Sequence, residues 1–183
     1  MLRATVTAAV LAALAVAPAA VAQTGGYTIR AKGSATGLGK VTAIGAFKPE
    51  RDPTLGAAIA AFGQPSSIRE NGRESCPAGW RSIGLRITFV NLGGGSACVT
   101  SLGKAQSASA FGRVWRTSRG LRIRSSTRKL RRLYPRAPRR GRTYRLVGAK
   151  SVFGDGRRYS VLAAKTRAGR VGSFKLFIGA AGE

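Results

Sequence analysis

No histidine occurs anywhere in the 183 residues, and six acids stand against 32 lysines and arginines, for a formal charge of +26. Each shortage excludes a chemistry. Without His the commonest general base is missing, and neither a Ser/His/Asp nor a Cys/His nucleophile system can be assembled. The acids are Glu50, Asp52, Glu70, Glu74, Asp155 and Glu183. A two-carboxylate hydrolase would have to draw on these, yet Glu50 and Asp52 sit in KPERDP and Glu70 and Glu74 in IRENGRES, both surface-turn compositions. The glycine-rich stretch VNLGGGSA (90–97) lacks the Lys-Ser/Thr ending of a phosphate-binding loop and is followed by no helical pattern, so it reads as a hairpin turn. The expectation is a protein that is not an enzyme and carries no cofactor.

Cysteine is scarce as well, with Cys76 and Cys98 the only two. The opening MLRATVTAAVLAALAVAPAAVA has one basic residue, Arg3, then an apolar run over 4–16, then Ala20-Val21-Ala22, the small-x-small pattern of a signal peptidase site. The run is shorter than the ~20 apolar residues of a bilayer crossing. Residues 1–22 are therefore expected to be a secretory signal, and the mature chain to be secreted without a transmembrane segment. No Arg-Arg pair precedes the run and no Cys follows it, which points away from twin-arginine export and from a lipid anchor. In an exported chain an even pair of cysteines reads as one disulfide, Cys76 to Cys98. A metal site built on those two would have to complete its ligand set from the six acids.

Along the mature chain, 23–40 is Gly/Ser/Thr-rich with little to bury and is expected to be a flexible lead or a loosely attached strand. DPTLGAAIAAFGQP (52–65) offers Asp52 as N-cap, Pro53 as first helical residue, and Gly63 and Pro65 as stops. Leu55, Ile59 and Phe62 share one face of that helix. GLRITFV (84–90) alternates as a half-buried strand, and SACVTS (96–101) is expected as its hairpin partner. The second half repeats the order: SSTRKLRRLYP (125–135) is a short helix capped by Ser125 or Ser126 and ended by Pro135, and TYRLVGAK, RYSVLAAK and VGSFKLFIG follow as three strands. A slide of 71 residues places Ile59 on Leu130 and Phe62 on Leu133. The predicted fold class is α+β: two small units, 41–106 and 107–183, each a short helix packed on an antiparallel sheet.

TLGAAIAAFGQP and GLRIRSSTRKLRRLYPRA resemble the short-helix signature of tandem-repeat exported domains, the family of the β-lactamase-inhibitor protein and the small outer-membrane barrel-assembly lipoprotein. The resemblance covers about residues 45–179. It implies two helix-plus-sheet units with a binding surface on the sheets, and it carries over no inhibitory residue. The chain departs from that family in having no lipoprotein cysteine, no second disulfide and a far more basic charge.

The charge is concentrated, since residues 113–170 hold twenty basic residues and one acid, Asp155. On the predicted helix Leu130, Leu133 and Tyr134 face inward and Arg128, Lys129, Arg131 and Arg132 face solvent. Arg136, Arg139, Arg140 and Arg142 follow in an exposed loop, PRAPRRGR. These eight are the candidate polyanion-binding residues. Arginine exceeds lysine 24 to 8, as codon bias in a GC-rich genome would produce, but such bias does not explain the lack of acids. The expected partner is an anionic polymer or envelope surface. No recognised nucleic-acid module is present, so sequence-specific nucleic-acid binding is not expected. The alternative is an inhibitor or interaction domain that meets a secreted protein through its sheet face.

Overall fold

The computed structural model describes residues 26–36, 39–150 and 158–179. The expected signal segment, Asp155 and Glu183 lie outside them. The fold is α+β. Its elements run β1 (Thr28–Lys32), β2 (Lys40–Ile44), α1 (Leu55–Phe62), β3 (Ser67–Ile68), β4 (Ser75–Trp80), β5 (Leu85–Val90), β6 (Lys104–Ala110), β7 (Arg116–Thr117), α2 (Thr127–Leu133), β8 (Arg139–Arg140), β9 (Thr143–Lys150), β10 (Arg158–Arg167) and β11 (Arg170–Phe177).

Eight strands form one sheet in the order β3-β4-β5-β6-β11-β10-β9-β8, every neighbouring pair antiparallel. Four come from each half of the chain, and β6 meets β11 at the centre through Ala110↔Phe174 and Ser107↔Phe177. The expected boundary at 106/107 falls inside β6. KAQSASA carries no strand signal in sequence, because Ala and Ser barely mark the alternation that reveals one. β6, and not 96–101, is the hairpin partner of β5: Thr88 faces Ser107 and Ile87 faces Ala108. SACVTS instead forms turns within the 91–103 connection.

The lead segment also differs from expectation. β1 is the central strand of a second, three-stranded sheet, antiparallel to β2 and parallel to β7. Ile29 is fully buried, and Tyr27 stacks on Trp115 at 4.9 Å. A segment with two useful apolar side chains looks loose on its own; of its two partner strands, β2 follows directly and β7 is supplied by the other half of the chain.

α1 begins later than the sequence suggests. Its N-cap is Thr54, whose hydroxyl accepts from the Ala57 N–H at 3.2 Å. Asp52 caps the cap, accepting from the Thr54 N–H at 3.0 Å and its hydroxyl at 2.6 Å, and these bonds hold its carboxyl below the usual range. Pro53 lies outside the helix, with its carbonyl taken by the Ala105 N–H. Thr54 stands two residues after Asp52 and its hydroxyl reaches the Ala57 N–H, which sets the start. Phe62 at the far end enters an aromatic cluster with Tyr27, Phe47, Trp80 and Trp115, at ring distances of 5.6–6.4 Å. Both indole N–H groups are satisfied there, Trp80 by the Gly63 carbonyl at 2.8 Å and Trp115 by the Ile83 carbonyl at 2.6 Å. Such partners are what allow a large polar-tipped ring to be buried.

In α2 the cap is Ser126, accepting from the Lys129 N–H at 3.2 Å. Leu130 is fully buried and Leu133 half-buried against the same core. Tyr134 is buried; its hydroxyl donates to Thr117 at 2.9 Å, and the Arg119 guanidinium lies 5.0 Å from its ring centre. Burial pushes the Tyr134 hydroxyl up from its ordinary pKa. Removing that hydroxyl by Tyr134→Phe should cost about 1 kcal/mol, the net worth of one buried hydrogen bond, read as a lower urea midpoint. A midpoint equal to the parent's would show that the Tyr134–Thr117 bond contributes nothing.

Candidate polyanion-binding surface

Strand alternation sorts the large sheet into two faces. On β5, Leu85, Ile87 and Phe89 point into the core, leaving Arg86 and Thr88 on the other side. Register carries that side across the sheet. Arg86 lies opposite Ser109, Ser109 opposite Lys175, Lys175 opposite Ala163, and Ala163 opposite Arg145. Cations therefore stand on every second strand of one row, their Cα positions about 10 Å apart from the ~4.8 Å strand spacing. Lys175 donates to the Ser109 hydroxyl at 2.7 Å. In the row on one side Arg140 and Lys165 flank Thr143. In the row on the other, Thr88, Ser107 and Phe177 are opposed in turn, and Tyr159 packs edge-on against Phe177 at 4.9 Å.

Each end of the central row opens into a cleft. At the β3–β5 end a 580 Å³ cleft is lined by Arg69, Glu70, Pro77, Arg81, Arg86 and Phe111 among others, so three cations there face one acid. At the β8–β10 end a 540 Å³ cleft is lined by Pro138, Arg139, Arg140, Thr143, Arg145, Arg158, Tyr159 and Ser160. Arg145 places its Nε in the protein interior with no hydrogen-bond partner. A third cleft of 490 Å³, beside α2, gathers Arg131, Arg139, Arg142 and Arg167.

Neutralisation is nearly absent. Among the described residues a single ion pair occurs, Lys40 to Glu50 at 2.7 Å. All four described acids lie between 50 and 74, and none of them is on α2 or β8–β11. Arg139 donates to the Gly141 carbonyl and lies 5.8 Å from the Tyr144 ring centre, and Arg158 donates to the Thr36 carbonyl at 2.8 Å. Those contacts orient the guanidinium groups and leave their charge uncompensated. No group of three or more metal-ligating side chains is present among the described residues.

The eight residues singled out in sequence are not gathered into one patch. Arg131, Arg139 and Arg142 share the third cleft, and Arg139 and Arg140 share the β8–β10 cleft. Arg128, Lys129, Arg132 and Arg136 line neither. PRAPRRGR is not wholly a loop, because Arg139 and Arg140 form β8 by pairing with Tyr144 and Thr143. Sequence reading missed Arg86, Arg145, Arg158, Lys165, Arg167 and Lys175. Their only local signal was their place on the polar side of an alternating strand. The aromatics divide as well: Trp80, Trp115, Tyr134 and Tyr144 are buried, and Tyr159 lies half-buried in the cleft wall. The Cys76–Cys98 disulfide is formed, tying β4 to the 91–103 connection.

No protein-family model matches the chain, and no curated protein sequence does. Among solved structures the chain is similar to an extracellular protein containing a SCP domain from Bacillus anthracis str. Ames, at 10% identity and a TM-score of 0.39. The likeness covers 68% of this chain and 42% of that one, so it spans less than half of that protein.

Proposed function

We propose that this is an exported, non-enzymatic protein that binds anionic polymer at the cell envelope through its second half. The observation that carries the reading is the uncompensated cationic surface: α2, β8 and the open side of β9–β11 present arginine and lysine with no described carboxylate among them. A charge of this size repels itself, and a polyanion relieves the repulsion while releasing its own counterions. The disulfide supports export, since such bonds persist outside a reducing cytosol. The strand order supports reading the chain as two units, because α1 with β3–β6 and α2 with β8–β11 follow the same sequence of elements and meet edge to edge. That is the arrangement implied by the resemblance to the β-lactamase-inhibitor and barrel-assembly lipoprotein family.

Salt dependence tests the reading. With random-sequence duplex DNA as an electrostatic probe, log Kd should rise linearly with log salt. Replacing Arg136, Arg139 and Arg140 together by Ser should flatten the slope by about two to three units. All three are exposed, so the fold should survive. Lys48, Arg51 and Arg73, exposed in the acid-bearing half, serve as the control and should change the slope far less. Equal slopes for the two triple variants would mean that the arginines are compositional. Absence of binding by the parent at ~0.15 M salt would mean that screening defeats a diffuse charge, and would favour the protein-partner reading.

A further inference from the structure

We infer that the open face of the eight-stranded sheet is a track for a linear anionic polysaccharide whose charges are separated by uncharged sugar, laid across the strands from the Arg86 end to the Arg145 end. This rests on the polyanion-binding reading, names its ligand class, and extends its site from β9–β11 onto β5 and β6 of the first half.

Spacing is the first ground. Arg86, Lys175 and Arg145 occupy every second strand of one register row, so their Cα positions are set about 10 Å apart. A polyphosphate or a nucleic-acid strand carries a charge on every unit and would be met only intermittently by such a row. A polysaccharide with one carboxylate or sulfate per disaccharide leaves a neutral residue between charges.

What lies between the cations is the second ground. Ser109 stands between Arg86 and Lys175, and Ala163, buried and without a polar group, stands between Lys175 and Arg145. Thr88 and Ser107 in the adjoining row offer hydroxyls suited to sugar hydroxyls, and the Phe177–Tyr159 pair offers an apolar surface suited to a sugar's C–H face. A surface that used charge alone would need neither the hydroxyls nor the rings. The clefts at the two ends, one at Arg86 where Arg69 and Arg81 outnumber Glu70 and one at Arg145 with no acid in its wall, let the chain enter and leave the row.

The full mature chain is titrated with hyaluronan, which has one carboxylate per disaccharide, and with polyphosphate of equal total charge. Arg86→Gln combined with Lys175→Gln should weaken hyaluronan binding by about tenfold or more, because two charge-assisted contacts are lost. Polyphosphate binding should change less than about twofold, since the cations around α2 and β8 remain. Tyr159→Leu should weaken hyaluronan alone, and it keeps all charges in place. Lys175→Gln by itself, at an exposed position, guards against a folding defect in the double variant and should show a smaller loss of the same kind. If hyaluronan binds the parent and the Arg86/Lys175 variant equally, or if both polymers weaken in parallel, the track is refuted while the broader reading stands. If the parent binds polyphosphate and not hyaluronan, the track is likewise refuted in favour of a densely charged phosphate polymer. If the parent binds neither, both readings fall together.

Discussion

Leu130→Ala should destabilise the protein by about 2–5 kcal/mol, the range for a fully buried leucine that leaves a cavity. Arg131→Ala, one residue along, should change stability by less than about 0.5 kcal/mol, as for a surface site. The contrast is large because one turn of α2 divides sharply: Leu130 is inaccessible to solvent and Arg131 is exposed. Leu130 also sits where the helix is closed at its end, its carbonyl accepting from the Tyr134 N–H at 2.9 Å. Loss of packing there should therefore loosen the Tyr134–Thr117 contact as well. Urea unfolding of the two variants measures the difference. Small and equal effects would mean that α2 and its arginines are an unpacked arm, and the surface built on them would lose its scaffold.

The second large effect is expected from the disulfide. Cys76 and Cys98 are 22 residues apart, and a loop of that size contributes about 3 kcal/mol by restricting the unfolded chain. Cys76→Ala with Cys98→Ala should therefore lower stability by about that amount, and reductant should do the same to the parent. The loop has other ties. The Ala97 N–H donates to the Arg73 carbonyl at 2.8 Å, and the Asn91 N–H to the Glu74 carbonyl at 3.0 Å. The turn is also tight, since a Cβ at Gly103 would come 2.0 Å from the Ala97 carbonyl oxygen. These contacts predict that the double variant still folds, with the 91–103 segment losing amide protection before the sheet does. A stability change below about 1 kcal/mol would mean that the hydrogen bonds alone hold the segment.

Much of the secondary structure was readable locally. β5, β9, β10 and β11 appear where period-two alternation predicted strands, and both helices appear where a capping residue, a short apolar stripe and a Gly or Pro stop coincide. The cysteine pairing followed from having two in a chain expected to be exported. The misreadings share one cause. Lead strand β1, strand β6 and the β8 pair carry weak hydrophobic patterns, and they are strands because other strands complete their hydrogen bonds: β7 and β11, far along the chain, for β1 and β6, and β9, which follows directly, for β8. Propensity and pattern see only the chain's own neighbourhood.

Composition was sufficient to remove histidine-based catalysis and to establish an overwhelming positive charge, because neither depends on where residues end up. It also placed that charge in the second half. Pairing across the sheet decided which cations act together. Arg86 and Lys175 are 89 residues apart in sequence and become next-but-one neighbours through Ser109. Arg128, Lys129, Arg132 and Arg136, adjacent in the conspicuous basic run, line none of the clefts that gather Arg131, Arg139, Arg140 and Arg142. Charge is additive along a chain and can be counted from its letters; the spacing of charges on a surface is fixed by strand register, which exists only once distant segments have found their hydrogen-bond partners.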